Sequence, residues 1–112
     1  MSIVTEKRLK DRSGSVCEIS GSDENLVVYI VEPKTEAIPE NCILITKQLR
    51  DQIENKDLMN ATDWRGLSDS MWNENLPVQI VAWRMLARLK NHDLLEMMYL
   101  DEDALEWAKA TG

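Results

Sequence analysis

The chain has 112 residues, of which 13 are Lys or Arg and 20 are Asp or Glu, for a formal charge of −7. That balance disfavours sequence-independent nucleic-acid binding, which depends on basic side chains displacing counterions from phosphates. The 44% apolar and 29% charged fractions are those of an ordinary globular chain, the length suits one domain, and no run of about 18 apolar residues could span a membrane.

The opening residues, Met1 to Lys7, lack the basic-then-apolar pattern of a signal peptide, so a cytoplasmic location is the expectation. Thr5 is placed to cap a first short helix, with Val4 and Leu9 as its hydrophobic staple and an end before Gly14. Leu26 to Val31 is β-branched and aromatic and reads as a strand that Pro33 ends. After a loop, Cys42 to Ile45 reads as a second strand. Thr46 then caps a helix running to about Asn55, which buries Leu49 and Ile53.

Beyond the polar stretch Lys56 to Asp63 the pattern turns helical. Pro77 suits the first turn of a helix, where its missing N–H costs nothing. Val78, Val81, Ala82, Met85, Leu86 and Leu89 follow on one face at helical spacing, with Ile80 and Trp83 outside that stripe. Asp93 to Leu100 is short and almost wholly apolar. Asp101 caps a last helix whose first turn is acidic, as the helix dipole favours, and whose inner face is Ala104, Leu105, Trp107 and Ala108. The sum is a helix-rich α+β chain organised as one domain over residues 1–112. A β-hairpin and helix occupy residues 1–55 and a packed helical half occupies residues 56–112.

The words Cys17-Glu18-Ile19-Ser20-Gly21, Glu24-Asn25-Leu26, Asp69-Ser70-Met71-Trp72 and Ala82-Trp83-Arg84-Met85-Leu86 carry a family signal, extended by Asp93-Leu94-Leu95 and Trp107-Ala108. The chain resembles the amino-terminal module of the PhnA family, named for the alkylphosphonate utilisation operon. The resemblance covers nearly the whole chain and implies a zinc-ribbon or treble-clef hairpin with paired Cys-x-x-Cys knuckles. Carried onto this sequence, the four ligand positions are Cys17, Ser20, Thr46 and Leu49. One thiol, two hydroxyls and an isobutyl group cannot supply the ligands of a tetrahedral zinc. The resemblance therefore implies a degenerate, metal-free knuckle filled by packing and hydrogen bonds. Longer family members continue into a small β-barrel, whereas this sequence stops at Gly112.

Two cysteines in a reducing compartment are expected as free thiols rather than a Cys17–Cys42 bridge. His92, the single imidazole, is expected in a solvated loop between helices and has no second histidine for a metal pair. Arg65, Arg84 and Arg88 could hold a phosphate or phosphonate, but no glycine-rich anion loop joins them, and structural ion pairs with Asp63, Asp69 and Glu74 are the expectation. The tryptophans and methionines are expected to fill the core in place of the absent phenylalanines.

Excess apolar surface at Ile80 and Trp83, joined by Arg84, Met97 and Met98, marks a candidate interaction surface for a homodimer or protein partner. The function expected is a non-enzymatic interaction module without metal, cofactor, nucleic acid or membrane. A ligand-binding or minor enzymatic role in phosphonate metabolism, suggested by the family's name, is the alternative. A treble-clef nuclease is disfavoured by the lone His92.

Overall fold

The computed structural model describes residues 3–110. Within them the chain forms α1 (Ile3–Ser13), the hairpin β1 (Leu26–Ile30) and β2 (Cys42–Thr46), then α2 (Lys47–Glu54), α3 (Leu67–Ser70), α4 (Leu76–Arg88), α5 (His92–Met97) and α6 (Glu102–Lys109). This is an α+β fold, a two-stranded antiparallel hairpin set among helices. The local signals act where side chains satisfy helix ends. The Thr46 hydroxyl accepts from Leu49 N–H at 3.2 Å and starts α2, and the Asp101 carboxylate accepts from Ala104 N–H at 2.8 Å and starts α6.

The strands pair in register Val28↔Leu44, with Leu26↔Thr46 and Ile30↔Cys42 at the ends. The ladder continues beyond them through Lys47 N–H to Asn25 C=O and Val31 N–H to Asn41 C=O, both 2.8 Å. In an antiparallel pair, hydrogen-bonded and non-bonded residue pairs alternate. Counting inward from those outer bonds, Val27, Tyr29, Ile43 and Ile45 turn their main-chain groups to the partner strand. Cys42 and Leu44 turn theirs outward.

Glu18 occupies that outer edge. Its N–H donates to Leu44 C=O at 2.8 Å, and its carboxylate accepts from Leu44 N–H at 2.8 Å. Arg12, from the last turn of α1, meets the same carboxylate side-on, with Nη2 to Oε1 at 2.7 Å and Nε to Oε2 at 2.9 Å. The guanidinium also donates to Cys42 C=O at 2.9 Å and Pro39 C=O at 3.0 Å. The Glu18 side chain is only 2% exposed.

The two faces of the hairpin pack differently. Val28, Cys42 and Leu44 meet Leu9 of α1 in a small cluster. Tyr29, Ile43 and Ile45 enter the main core with Cys17, Leu49, Trp64, Met71 and the inner residues of α4 and α6. Gln52 is the buried polar centre of that core. Its Oε1 accepts from Trp64 Nε1 and from Asn60 N–H, both at 2.8 Å, and its Nε2 donates to Asp63.

Three local expectations are corrected. Thr5 lies inside α1 rather than capping it, and its buried hydroxyl donates to Ala37 C=O; Val4 is exposed and staples nothing. His92 opens α5 instead of sitting in a loop. Ile80 is fully buried, because α4 is surrounded by α3, α5, α6 and β2 and has no side left for solvent at that position.

Removing one member of a buried, hydrogen-bonded ion pair costs about 3–5 kcal/mol, since the remaining charge is stranded. Arg12→Ala is therefore expected to lower unfolding free energy by about that amount, measured by urea denaturation. A loss within the scatter of surface mutations would show that the pair does not hold the edge.

Candidate functional site

The four knuckle positions sort into two pairs. Cys17 and Leu49, each 2% exposed, join the main core. Ser20 is exposed and Thr46 half-buried. Three hydrogen bonds close the turn: Ser20 N–H donates to Cys17 Sγ at 3.3 Å, Gly21 N–H to Cys17 C=O at 2.9 Å, and Cys17 N–H to Ser22 C=O at 2.7 Å. Gly21 has φ +79, the left-handed geometry that favours glycine. The far side of the turn rests on Gly66, where a Cβ would lie 2.3 Å from Ile19 C=O. Any side chain there would displace the knuckle.

Ser20, Thr46 and Leu49 line a single open cleft of about 490 Å³, together with Gln48, Asp63 and Arg65. The fold thus brings three of the four positions to one cleft, which Cys17 does not line. The donor set does not fit a tetrahedral zinc. The Ser20 hydroxyl accepts from Ser22 N–H, the Thr46 hydroxyl caps α2, and the Leu49 methyl groups are packed. Among the described residues, no group of three or more His, Cys, Asp or Glu could hold a metal ion.

A second cleft, of about 520 Å³, lies between the hairpin, α2 and α4. Tyr29, Trp83, Arg84, Arg88, Lys56 and Glu54 line it. Arg84 does not present a free guanidinium. It donates to Ala108 C=O at 3.0 Å and to the carbonyls of Trp107 and Glu32, tying the end of α6 to the loop after β1. Trp107 Nε1 donates to Glu32 C=O at 3.1 Å beside it. Arg88 donates to Gln52 C=O at 3.0 Å, at the carbonyl end of α2, where the helix dipole favours a cation.

The expected ion pairs of Arg65, Arg84 and Arg88 with Asp63, Asp69 and Glu74 are therefore replaced by carbonyl contacts for Arg84 and Arg88. Asp63 instead accepts from Gln48 and Gln52, each at 2.8 Å.

The candidate interaction residues are dispersed. Ile80 is buried, Trp83 is half-buried in the second cleft, and Met98 is half-buried against the core. Met97 is 58% exposed. The expected interaction surface left out Tyr99, 89% exposed, and Trp72, 57% exposed. The polar company of Trp72, between Asp69 and Asn73-Glu74, was the available signal. Of the tryptophans and methionines expected in the core, Trp64, Met71 and Met85 are buried there, whereas Trp72 and Met97 face solvent.

Both cysteines are free and buried. Burial raises the Cys42 thiol above its ordinary value, with the Arg12 charge opposing and Glu40 adding to the rise. Burial likewise raises the Tyr29 phenol, helped by the Glu32 charge, and lowers the Arg84 guanidinium against the opposing pull of Tyr29 and Glu32. A buried thiol held neutral is a poor nucleophile, because the thiolate is the reactive form.

No family model matches the chain, and neither a curated protein nor a solved structure matches it. No helix among the described residues is long and apolar enough to cross a membrane.

Cys42 and Tyr29 both have folded-state pKa values above their unfolded ones. The folded state then holds more protons than the unfolded state once pH passes the ordinary thiol value of about 8.5 and the phenol value of about 10. Stability contributed by the neutral groups is complete below those values and is lost as pH rises through the folded ones. Urea unfolding is expected to show a decline in stability from about pH 8.5 upward, less steep in Cys42→Ala. An unchanged slope in that variant would remove Cys42 from the effect.

Proposed function

We propose that this chain is a non-enzymatic protein-interaction module of the cytoplasm, similar to the PhnA amino-terminal module, with a knuckle held by packing instead of metal. The observation that carries the interaction reading is α5 and the residues after it. α5 has six residues and no fully buried one, and it packs on the core through the half-buried Leu94 and Leu95 alone, leaving its end at the surface. It leads into Met97, Met98 and Tyr99, two of which are more than half exposed. A flexible thioether beside an exposed aromatic ring suits an adaptable contact surface.

The first partner proposed is a second copy, joined through this segment. Two features support binding over catalysis: the Cys17 and Cys42 thiols are buried, and the Arg84 guanidinium is engaged with main-chain carbonyls. Sedimentation over a wide concentration range is expected to show reversible self-association, weakened by Tyr99→Ser with Met97→Lys. A strict monomer throughout would overturn the homodimer.

A second reading is favoured by the cleft beside Trp83. Arg88 and Lys56 bring two cations to a wall that also holds the Trp83 indole, with Arg84 beside them committed to main-chain carbonyls. Guanidinium groups bind phosphate and phosphonate oxygens in a fixed fork geometry. Calorimetry with methylphosphonate and with inorganic phosphate tests a ligand-binding role, and heat that disappears in Arg88→Ala would support it. Absence of heat at high ligand concentration would eliminate it.

A further inference from the structure

The cleft between the hairpin, α2 and α4 is lined by polar groups that find no partner among the described residues. Tyr29 is only 9% exposed and its ring belongs to the main core, yet nothing there hydrogen-bonds to its hydroxyl. That oxygen is not sealed off, so it opens onto the cleft. A buried hydroxyl costs free energy unless water or a ligand supplies its partner. Trp64 and Trp107 donate their indole N–H groups within the fold, whereas Trp83, on the cleft wall, does not.

Charge of both signs is left over at the same place. Glu32, Glu54, Lys56 and Arg88 line the cleft, and none forms an ion pair with another described residue. Opposite charges on one wall that do not meet can each take one end of a dipolar ligand. Two of their anchor points are fixed. The Glu32 carbonyl is held by Arg84 and by Trp107, and Arg88 is held on the Gln52 carbonyl at 3.0 Å, with its Nε unspent. Ile53, Met85 and Ala87 add apolar wall, and about 520 Å³ lies within the range of small-molecule sites.

We propose that this cleft binds a small zwitterion, an α-amino acid with an apolar side chain. The inference rests on the ligand-binding reading of the cleft and names its ligand. A bare phosphate or phosphonate brings only negative charge and leaves Glu32 and Glu54 unanswered. An α-amino acid carries an acid, an ammonium and an apolar group on one carbon, the combination that this wall presents. Its carboxylate accepts from the Tyr29 hydroxyl and from Arg88, with the Lys56 charge beside them. Its ammonium donates to the Glu32 and Glu54 carboxylates, and its side chain lies against Trp83 and Ile53. Burial and the Glu32 charge raise the Tyr29 phenol, which therefore keeps the proton it donates.

The test is calorimetry on the full chain, with amide and indole NMR shifts to locate the contact. L-phenylalanine is compared with phenylpropanoate, which lacks the ammonium, and with phenethylamine, which lacks the carboxylate. L-phenylalanine is expected to bind at least about tenfold tighter than either fragment and to shift the Trp83 indole and the Tyr29 amide. Tyr29→Phe keeps the ring in the core and is expected to weaken L-phenylalanine and phenylpropanoate alike by about tenfold. Glu32→Gln with Glu54→Gln, at exposed positions, is expected to weaken L-phenylalanine by about tenfold and leave phenylpropanoate as tight or tighter. A merely structural defect would weaken both. Equal binding of L-phenylalanine and phenylpropanoate, or binding of methylphosphonate alone, would overturn the zwitterion and leave the ligand-binding reading in place. No response to these probes or to inorganic phosphate would overturn both. Shifts confined to residues outside the cleft, or an unchanged affinity in Tyr29→Phe, would also overturn the proposal.

Discussion

The side-on pair of Arg12 and Glu18 is the contact on which the amino-terminal part of this structure depends. Glu18 belongs to the knuckle turn, Arg12 to α1, and between them they engage β2, Pro39 and each other. A carboxylate so little exposed is tolerable only because its oxygens receive three donors, two from Arg12 and one from Leu44. Planar guanidinium geometry makes this possible, and a lysine could not supply the same fork. The pair does for the β2 edge what another strand would do.

Arginine is used elsewhere in the same manner. Arg84 collects carbonyls from α6 and from the loop after β1, and Arg88 collects those at the end of α2. Helix ends leave carbonyl groups without intrahelical partners, and these carry partial negative charge. In a fold built of short helices such ends are frequent, and guanidinium groups with several donors each can satisfy them while linking elements. Gln52 performs the complementary task inside the core by joining α2 to Trp64 and Asn60.

The turn around Cys17 is held by packing and hydrogen bonds. The Cys17 sulfur receives an amide hydrogen from Ser20. Leu49 is buried in the main core, and Thr46 serves the helix that follows. Gly66 lets the turn settle directly on the helical half, because its missing side chain leaves space for the Ile19 carbonyl. The proposed family likeness and the proposed interaction role both take this arrangement as their starting point.

Residue order alone fixed the features set by short-range chemistry. Both strands, the Thr46 and Asp101 caps, the proline-led start of α4 and its apolar stripe were legible, because caps and periodicity act within a few residues. The convergence of Ser20, Thr46 and Leu49 on one cleft was suggested only through family resemblance, since no local rule joins positions so far apart. Ile80 was misplaced because periodicity describes one helix and cannot count the neighbours around it. Thr5 was misplaced because a hydroxyl that can cap can also serve a distant carbonyl. Only the tertiary structure decided that Arg12 would find Glu18, that Arg84 would bind carbonyls, and that the outer edge of β2 would be closed. Those outcomes depend on which groups meet after the chain has folded, and hydrogen-bond partners distant in sequence leave no periodic trace.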